Sequence, residues 1–238
     1  MGNRMKLKVK LFADGANIND IMQVYSQGLV SGFTTNPTLM RKAGVRDYEE
    51  FARELLKRIK DLPISFEVFS DDFFSMEREA RKITGWGDNV YVKIPITNTK
   101  GESSSELIRK LSQEGIKLNV TAILTTDQVR NTSKALYPGT PAIVSVFAGR
   151  IADTGRDPVP IMKESLKILK HLANAELLWA SSREVFNIIQ ANRAGCHIIT
   201  VTNDILKKVT MIDKDLSELS LDTVRMFYSD AQAAGYVI

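Results

Sequence analysis

Short β-branched or apolar runs alternate with helix-length amphipathic segments along almost the whole chain, and the hydrophobic period switches between two and 3.6 residues. That alternation is the mark of βα units built on a parallel sheet. The strand-like runs fall at Lys8 to Asp14, Gly32 to Asn36, Ile64 to Val68, Val90 to Ile94, Lys117 to Ala122, Ala142 to Phe147, Glu176 to Ser181 and Ile198 to Val201. Helical patterns lie between them: Asn17 to Gln27, two pieces from Pro37 to Lys60, Phe73 to Thr84, and a segment starting near Gly101 and closing at Gly115, a glycine suited to a C-terminal cap. Eight strands and eight crossovers predict an α/β chain forming one closed (β/α)8 barrel, a single domain over residues 1–238 with no linker. After a short helix at Asp204 to Val209, the last helix, Ser217 to Ala233, is an addition to that plan. It carries Leu219, Leu221, Val224, Met226, Phe227 and Tyr228, too much apolar surface for a fully solvated helix, and is therefore expected to dock.

Alternate residues of a barrel strand face the lumen, and functional groups gather at the strands' C-terminal ends. Taking the more apolar face of each strand as outward turns Tyr91 and Lys93 inward on the fourth strand and Ser65 and Glu67 inward on the third. Asp14 then stands at the inner mouth of the first. The second contributes Thr34 and Asn36, the fifth Asn119 and Thr121, the sixth Ser145 and Phe147, and the seventh Trp179 and Ser181.

Lys93 in Asn89-Val90-Tyr91-Val92-Lys93-Ile94-Pro95 is the unusual member. A dry, unpaired ammonium costs several kcal/mol, so it must find a partner, reach water or lose its proton. At an unperturbed pKa, about one lysine in a few thousand is neutral at pH 7. Burial lowers proton affinity and a nearby carboxylate raises it. Asp14 and Glu67 are accordingly expected to act on a substrate and a water rather than to pair tightly with Lys93.

The remaining composition narrows the chemistry. Hydrophobic residues make up 44% and charged residues 25% of the chain, and the net charge of +4 is scattered along helical faces. That distribution predicts neither a nucleic-acid face nor a membrane surface. The single cysteine, Cys196, excludes an intramolecular disulfide and is expected in the core of a cytoplasmic protein. Lys6 breaks the myristoylation pattern after Met1-Gly2, and no signal-like segment opens the chain. With two histidines, His171 and His197, there is no metal-ligand motif and no Ser-His-Asp triad, and no phosphate-binding glycine loop follows a strand. No metal and no cofactor are expected. A lysine among carboxylates and hydroxyls is instead the equipment of Schiff-base carbonyl chemistry.

At these residues the sequence resembles the short, single-barrel transaldolases, the group that includes the fructose-6-phosphate aldolases. The matching blocks are Phe12-Ala13-Asp14-Gly15-Ala16-Asn17, Gly32-Phe33-Thr34-Thr35-Asn36-Pro37-Thr38, Val92-Lys93-Ile94-Pro95, Gly115-Ile116-Lys117-Leu118-Asn119-Val120-Thr121, Ser145-Val146-Phe147-Ala148-Gly149-Arg150 and Ala180-Ser181-Ser182-Arg183. The resemblance implies that Lys93 carries a dihydroxyacetone unit as a Schiff base and that Asp14 is the acid/base on the hydroxyl whose deprotonation breaks the carbon–carbon bond. It further implies that Glu67 and Thr121 handle the water, that Asn36 and Asn119 bind the hydroxyls of that unit, and that Arg150, Ser145 and Arg183 receive a sugar phosphate.

Glu67 and Phe147 match the transaldolase branch, where the fructose-6-phosphate aldolases have Gln and Tyr, so the resemblance favours transfer over simple cleavage. Gly15, Ser182 and the stretch Ala122 to Thr126 depart from the usual pattern, whereas Gln128 keeps its place. Two alternatives stand beside the transferase: a fructose-6-phosphate aldolase-like lyase, and a barrel that binds sugar phosphates without turning them over. A homo-oligomer, pentamer or decamer, is also implied by the resemblance.

Overall fold

A computed structural model describes residues 7–237 and contains a closed barrel of eight parallel strands in chain order. The strands are β1 (Lys10–Asp14), β2 (Phe33–Thr34), β3 (Ile64–Glu67), β4 (Val90–Pro95), β5 (Leu118–Ile123), β6 (Ala142–Val146), β7 (Ala175–Trp179) and β8 (Ile198–Thr202), with β8 closing on β1. Around them lie α1 (Ile18–Ser26), α2 (Pro37–Lys42), α3 (Tyr48–Arg58), α4 (Phe73–Thr84), α5 (Ser105–Gln113), α6 (Thr126–Ala135), α7 (Ala148–Ala152), α8 (Val159–Leu169), α9 (Phe186–Ala194), α10 (Asn203–Lys207) and α11 (Leu216–Ala234). The start Met1 to Lys6, considered above for lipidation, lies outside the described residues.

The helices begin where the sequence offers caps. Asn17, Asn36, Asp47, Asp72 and Thr125 each accept a hydrogen bond from a backbone N–H two or three residues into the following helix. Gln128 completes a capping box with Thr125, which is what its retained position serves. The same demand shortens β2 from the expected Gly32–Asn36 to two residues, because Asn36 is spent on capping α2 and Pro37 opens it. Helix α5 starts at Ser105 rather than near Gly101, because Gly101, at φ +80°, closes a turn bracketed by the Thr97–Ser103 bridge.

Two apolar layers result. The larger lies between strands and helices and holds the outward side chains, among them Val90, Val92 and Ile94 of β4. The smaller plugs the lower lumen with Phe12, Ile143, Leu178 and Ile198, against which Tyr91 and Phe147 pack. Polar side chains occupy the lumen above that plug.

On β7 the expectation fails: Trp179 is buried in the outer layer, while Leu178 and Ala180 face the lumen. The strand reads Ala-Glu-Leu-Leu-Trp and, Glu176 apart, is apolar on both faces, so its hydrophobic residues could not set its parity. Glu176 could have, since it pairs with Lys10 of β1 at 2.8 Å and shares its parity with Leu178.

Helix α11 buries no residue, and Leu216, Val224, Phe227 and Tyr228 are 78%, 60%, 64% and 68% exposed. Its own barrel does not provide the docking surface that its composition calls for. Among the described residues no helix is long and apolar enough to cross a membrane.

One close approach fixes the C-terminal end of the barrel. Gly149 of α7 packs so tightly on the loop after β7 that a Cβ there would stand 1.6 Å from the Ser181 carbonyl oxygen. Gly149→Ala is therefore expected to lower the midpoint of urea unfolding, at a cost of about 3 kcal/mol, the upper end of overpacking effects. An unchanged midpoint would contradict this packing.

Candidate active site

The register of the strands sets the site. Across β3, β4 and β5, Lys93 is level with Glu67 on one side and Asn119 on the other, all with inward parity. Lys93 is 6% exposed. Its Nζ lies 3.0 Å from Glu67 Oε2 and donates to the Thr35 carbonyl at 2.7 Å. The expectation that the two carboxylates leave Lys93 unpaired is therefore corrected for Glu67: neighbouring residues of one parity on adjacent parallel strands meet, and a buried ammonium without such a partner would be costly.

Asp14 is held apart. Its Oδ1 accepts from Thr34 Oγ1 at 2.8 Å and its Oδ2 from Asn36 Nδ2 at 3.3 Å. Thr34 is in turn 2.6 Å from Thr200 Oγ1 of β8. Burial pushes the Asp14 carboxyl above its ordinary value, more than Lys93, Thr34 and Asn36 hold it down. Opposite, Asn119 donates to Ser65 Oγ at 3.0 Å and accepts from Ser145 Oγ at 2.7 Å, which fixes its amide orientation. Beside Asn119, Thr121 is buried with its hydroxyl unpartnered by any described residue.

All of these side chains except Ser65 line one cavity of about 380 Å3 at the C-terminal mouth of the barrel, together with Phe147, Arg150 and Ser181. A shift in the β5–β6 register and a positive φ of 61° at Ala122 turn the chain so that both Thr121 and Ala122 line it. Ser181 lies beyond the end of β7 and arrives by its own left-handed backbone, φ 65°, rather than by strand parity. The Arg150 guanidinium stacks over the Phe147 ring at 5.1 Å and reaches the mouth from α7.

Arg183 is the expected site residue that does not line this cavity. It is paired with Asp153 across the surface and donates to the carbonyl and hydroxyl oxygens of Ser181. It touches the site through Ser181 alone.

Two contributors went unread in the sequence. Thr200 was legible, since Ile198, Thr200 and Thr202 alternate with Ile199 and Val201. The Thr35 carbonyl was not, because a backbone oxygen carries no sequence signal. Away from the site, burial pushes the Cys196 thiol up to about 12, and His197 is occupied as acceptor for the Leu177 N–H at 2.9 Å. Among the described residues no group of three or more His, Cys, Asp or Glu side chains is arranged to hold a metal ion.

A family model described as transaldolase/fructose-6-phosphate aldolase matches residues 11–238. A probable transaldolase of Caldicellulosiruptor saccharolyticus is 39% identical over 85% of this chain and 89% of its own length. Another, of a Thermoanaerobacter species, is 35% identical over 97% of this chain and all of its own. Among solved structures, dihydrodipicolinate synthase from Rhodopseudomonas palustris matches 90% of this chain and 79% of its own at 15% identity, with a TM-score of 0.49.

The Asp14 environment has a measurable consequence. A carboxyl whose folded-state proton affinity exceeds its unfolded one opposes folding while it is charged, and protonation relieves that as pH falls. Asp14→Asn is expected to melt higher than the unaltered chain at pH 7, with the gap closing as pH falls toward the ordinary value of 3.8. A variant less stable at pH 7 would contradict this.

Proposed function

We infer that this chain, which belongs to the transaldolase/fructose-6-phosphate aldolase family, transfers a three-carbon ketol unit between sugar phosphates through a Schiff base on Lys93. An aldolase-type enzyme is the common ground of that family and its relatives. The observation that carries the finer reading is the buried Lys93 amine facing the cavity with Glu67 at 3.0 Å.

Glu67 is close enough to take the Nζ proton as the amine attacks the carbonyl of a ketose such as fructose 6-phosphate or sedoheptulose 7-phosphate. The same carboxyl, now protonated, gives that proton to the departing carbinolamine hydroxyl, and the Thr121 hydroxyl holds the released water nearby. Asp14, whose charged form burial disfavours, removes the proton of the hydroxyl on the carbon beyond the breaking bond. That electron pair becomes the carbonyl of the leaving aldose, and the bonding pair passes into the iminium as an enamine. Asn36 and Asn119 orient the hydroxyls of the retained unit, and Thr34 holds Asp14.

Arg150, at the mouth, suits a phosphate by its bidentate fork and has Ser145 and Ser181 as neighbours in the cavity wall. Arg183 joins it only if phosphate draws it from Asp153. Phe147 brings no acid near the enamine, so the unit waits for an aldehyde rather than being protonated and released. Addition to an aldose phosphate, reprotonation through Asp14 and hydrolysis at Lys93 complete the transfer.

The assay is fructose 6-phosphate with and without an aldose phosphate such as erythrose 4-phosphate. New ketose phosphate that requires the acceptor supports transfer; free dihydroxyacetone without acceptor would establish the lyase instead. Saturable binding with no product at all would establish a binding barrel. Asp14→Asn is expected to lower kcat by about 10²- to 10⁴-fold, the range for loss of a general acid/base, and Arg150→Ala to raise KM for phosphorylated donors with a smaller change in kcat.

The exposed apolar face of α11 supports a homo-oligomer in which that helix is covered by a second copy. Light scattering should give a multiple of the chain mass, and removal of residues 216–238 should reduce it. A monomer of the full chain at working concentration would refute this.

A further inference from the structure

The β2–β3 ladder stops one bond short, at the point where it meets the lysine. Phe33 N–H donates to the Pro63 carbonyl at 2.9 Å and Thr35 N–H to the Ser65 carbonyl at 3.2 Å. In a parallel ladder the next bond would run from the Glu67 N–H to the Thr35 carbonyl. That carbonyl is instead bonded to Lys93 Nζ at 2.7 Å. The Glu67 N–H goes to Tyr48 Oη at 2.7 Å, and the same hydroxyl donates to the Glu67 carbonyl at 3.1 Å.

We propose that Tyr48 is a positioning residue for the lysine chemistry: by taking over the backbone of Glu67 it frees the Thr35 carbonyl to hold Lys93 and fixes the carboxylate that pairs with it. The role rests on the Schiff-base reading of Lys93 and adds a residue outside the cavity to it, since Tyr48 does not line the catalytic pocket. Two of the acceptors around Nζ, on different strands, are thereby set by one phenol.

The phenol is built for the task. It is the first residue of α3, fixed by the Asp47 cap, and its ring stands against Phe66, Phe69 and Trp86 at centroid distances of 6.1, 4.5 and 5.4 Å. It acts as acceptor and donor at once, which only the neutral hydroxyl can do. Burial keeps it neutral by raising its proton affinity well above the ordinary phenol range, more than the hydrogen bonds from the Glu67 backbone and from Thr35 hold it down. The charged groups that face Lys93 itself are Glu67 from β3 and Asp14 from β1.

The test compares pH profiles of kcat and kcat/KM for the unaltered chain, Tyr48→Phe and Phe69→Leu. Phenylalanine keeps the ring and its packing but leaves the Glu67 N–H without its acceptor, so the Thr35 carbonyl is drawn back into the ladder and away from Lys93. Tyr48→Phe is expected to lose kcat roughly tenfold or more, the scale of a small misplacement of reacting groups, with KM within about twofold because no substrate contact is lost. Its pH profile should be displaced from that of the unaltered chain, because the contact that holds Nζ against the Thr35 carbonyl is lost. Phe69→Leu disturbs the same aromatic cluster without touching the hydroxyl and should keep the original profile.

A Tyr48→Phe profile that superposes on the unaltered one overturns the proposal, and so does an equal displacement in Phe69→Leu, which would make packing the cause. No turnover by the unaltered chain would overturn the Schiff-base reading and this role together, whereas turnover with an unmoved Tyr48→Phe profile overturns the role of Tyr48 alone.

Discussion

An ammonium that is 6% exposed inside a barrel is the constraint to which the rest of the site answers. The lumen below Lys93 is closed by Phe12, Ile143, Leu178 and Ile198, so the amine cannot reach water through the floor. Its proton can be borne only by acceptors at its own level. Register supplies Glu67 from one neighbouring strand, and an interrupted ladder supplies a backbone carbonyl from the strand beyond. A buried pair of this kind contributes little net stability against an apolar replacement. What it provides is a nitrogen held in a fixed direction, with its base already in contact.

The second carboxylate works under the opposite condition. Asp14 is separated from that pair by Thr34 and Asn36, which between them occupy both its oxygens. One carboxylate is therefore matched to a cation, while burial raises the proton affinity of the other. The wall around them relies on backbone departures at the strand ends. Ala122 and Ser181 both have positive φ, and Gly149 admits the chain where any side chain would collide.

Much of this was legible before any coordinates. The alternation of runs gave the barrel, and parity read from polarity turned Lys93, Glu67, Asn119 and Ser145 inward as observed, because each of those strands has one clearly polar face. Where both faces are apolar, as on β7, the rule misplaced Trp179, and only the charge at Glu176 held the phase. Contacts made by backbone atoms, such as Thr35 with Lys93, have no side-chain signature. The Lys93–Glu67 contact follows from register, which forces level residues of one parity on adjacent strands together, and proton affinity alone does not foretell it. Arg183 illustrates a last limit, since a motif gives a residue its neighbours in sequence but not the surface partner, Asp153, that occupies it.

A covalent link between the Lys93 amine and substrate can be trapped chemically. The protein would be mixed with fructose 6-phosphate, reduced with borohydride, digested and mapped by peptide mass spectrometry. One adduct is expected, of a three-carbon unit or of the whole ketose, on the peptide containing Lys93, diminished when erythrose 4-phosphate is added before reduction. An adduct on any other lysine, or none with either fructose 6-phosphate or sedoheptulose 7-phosphate, would contradict it.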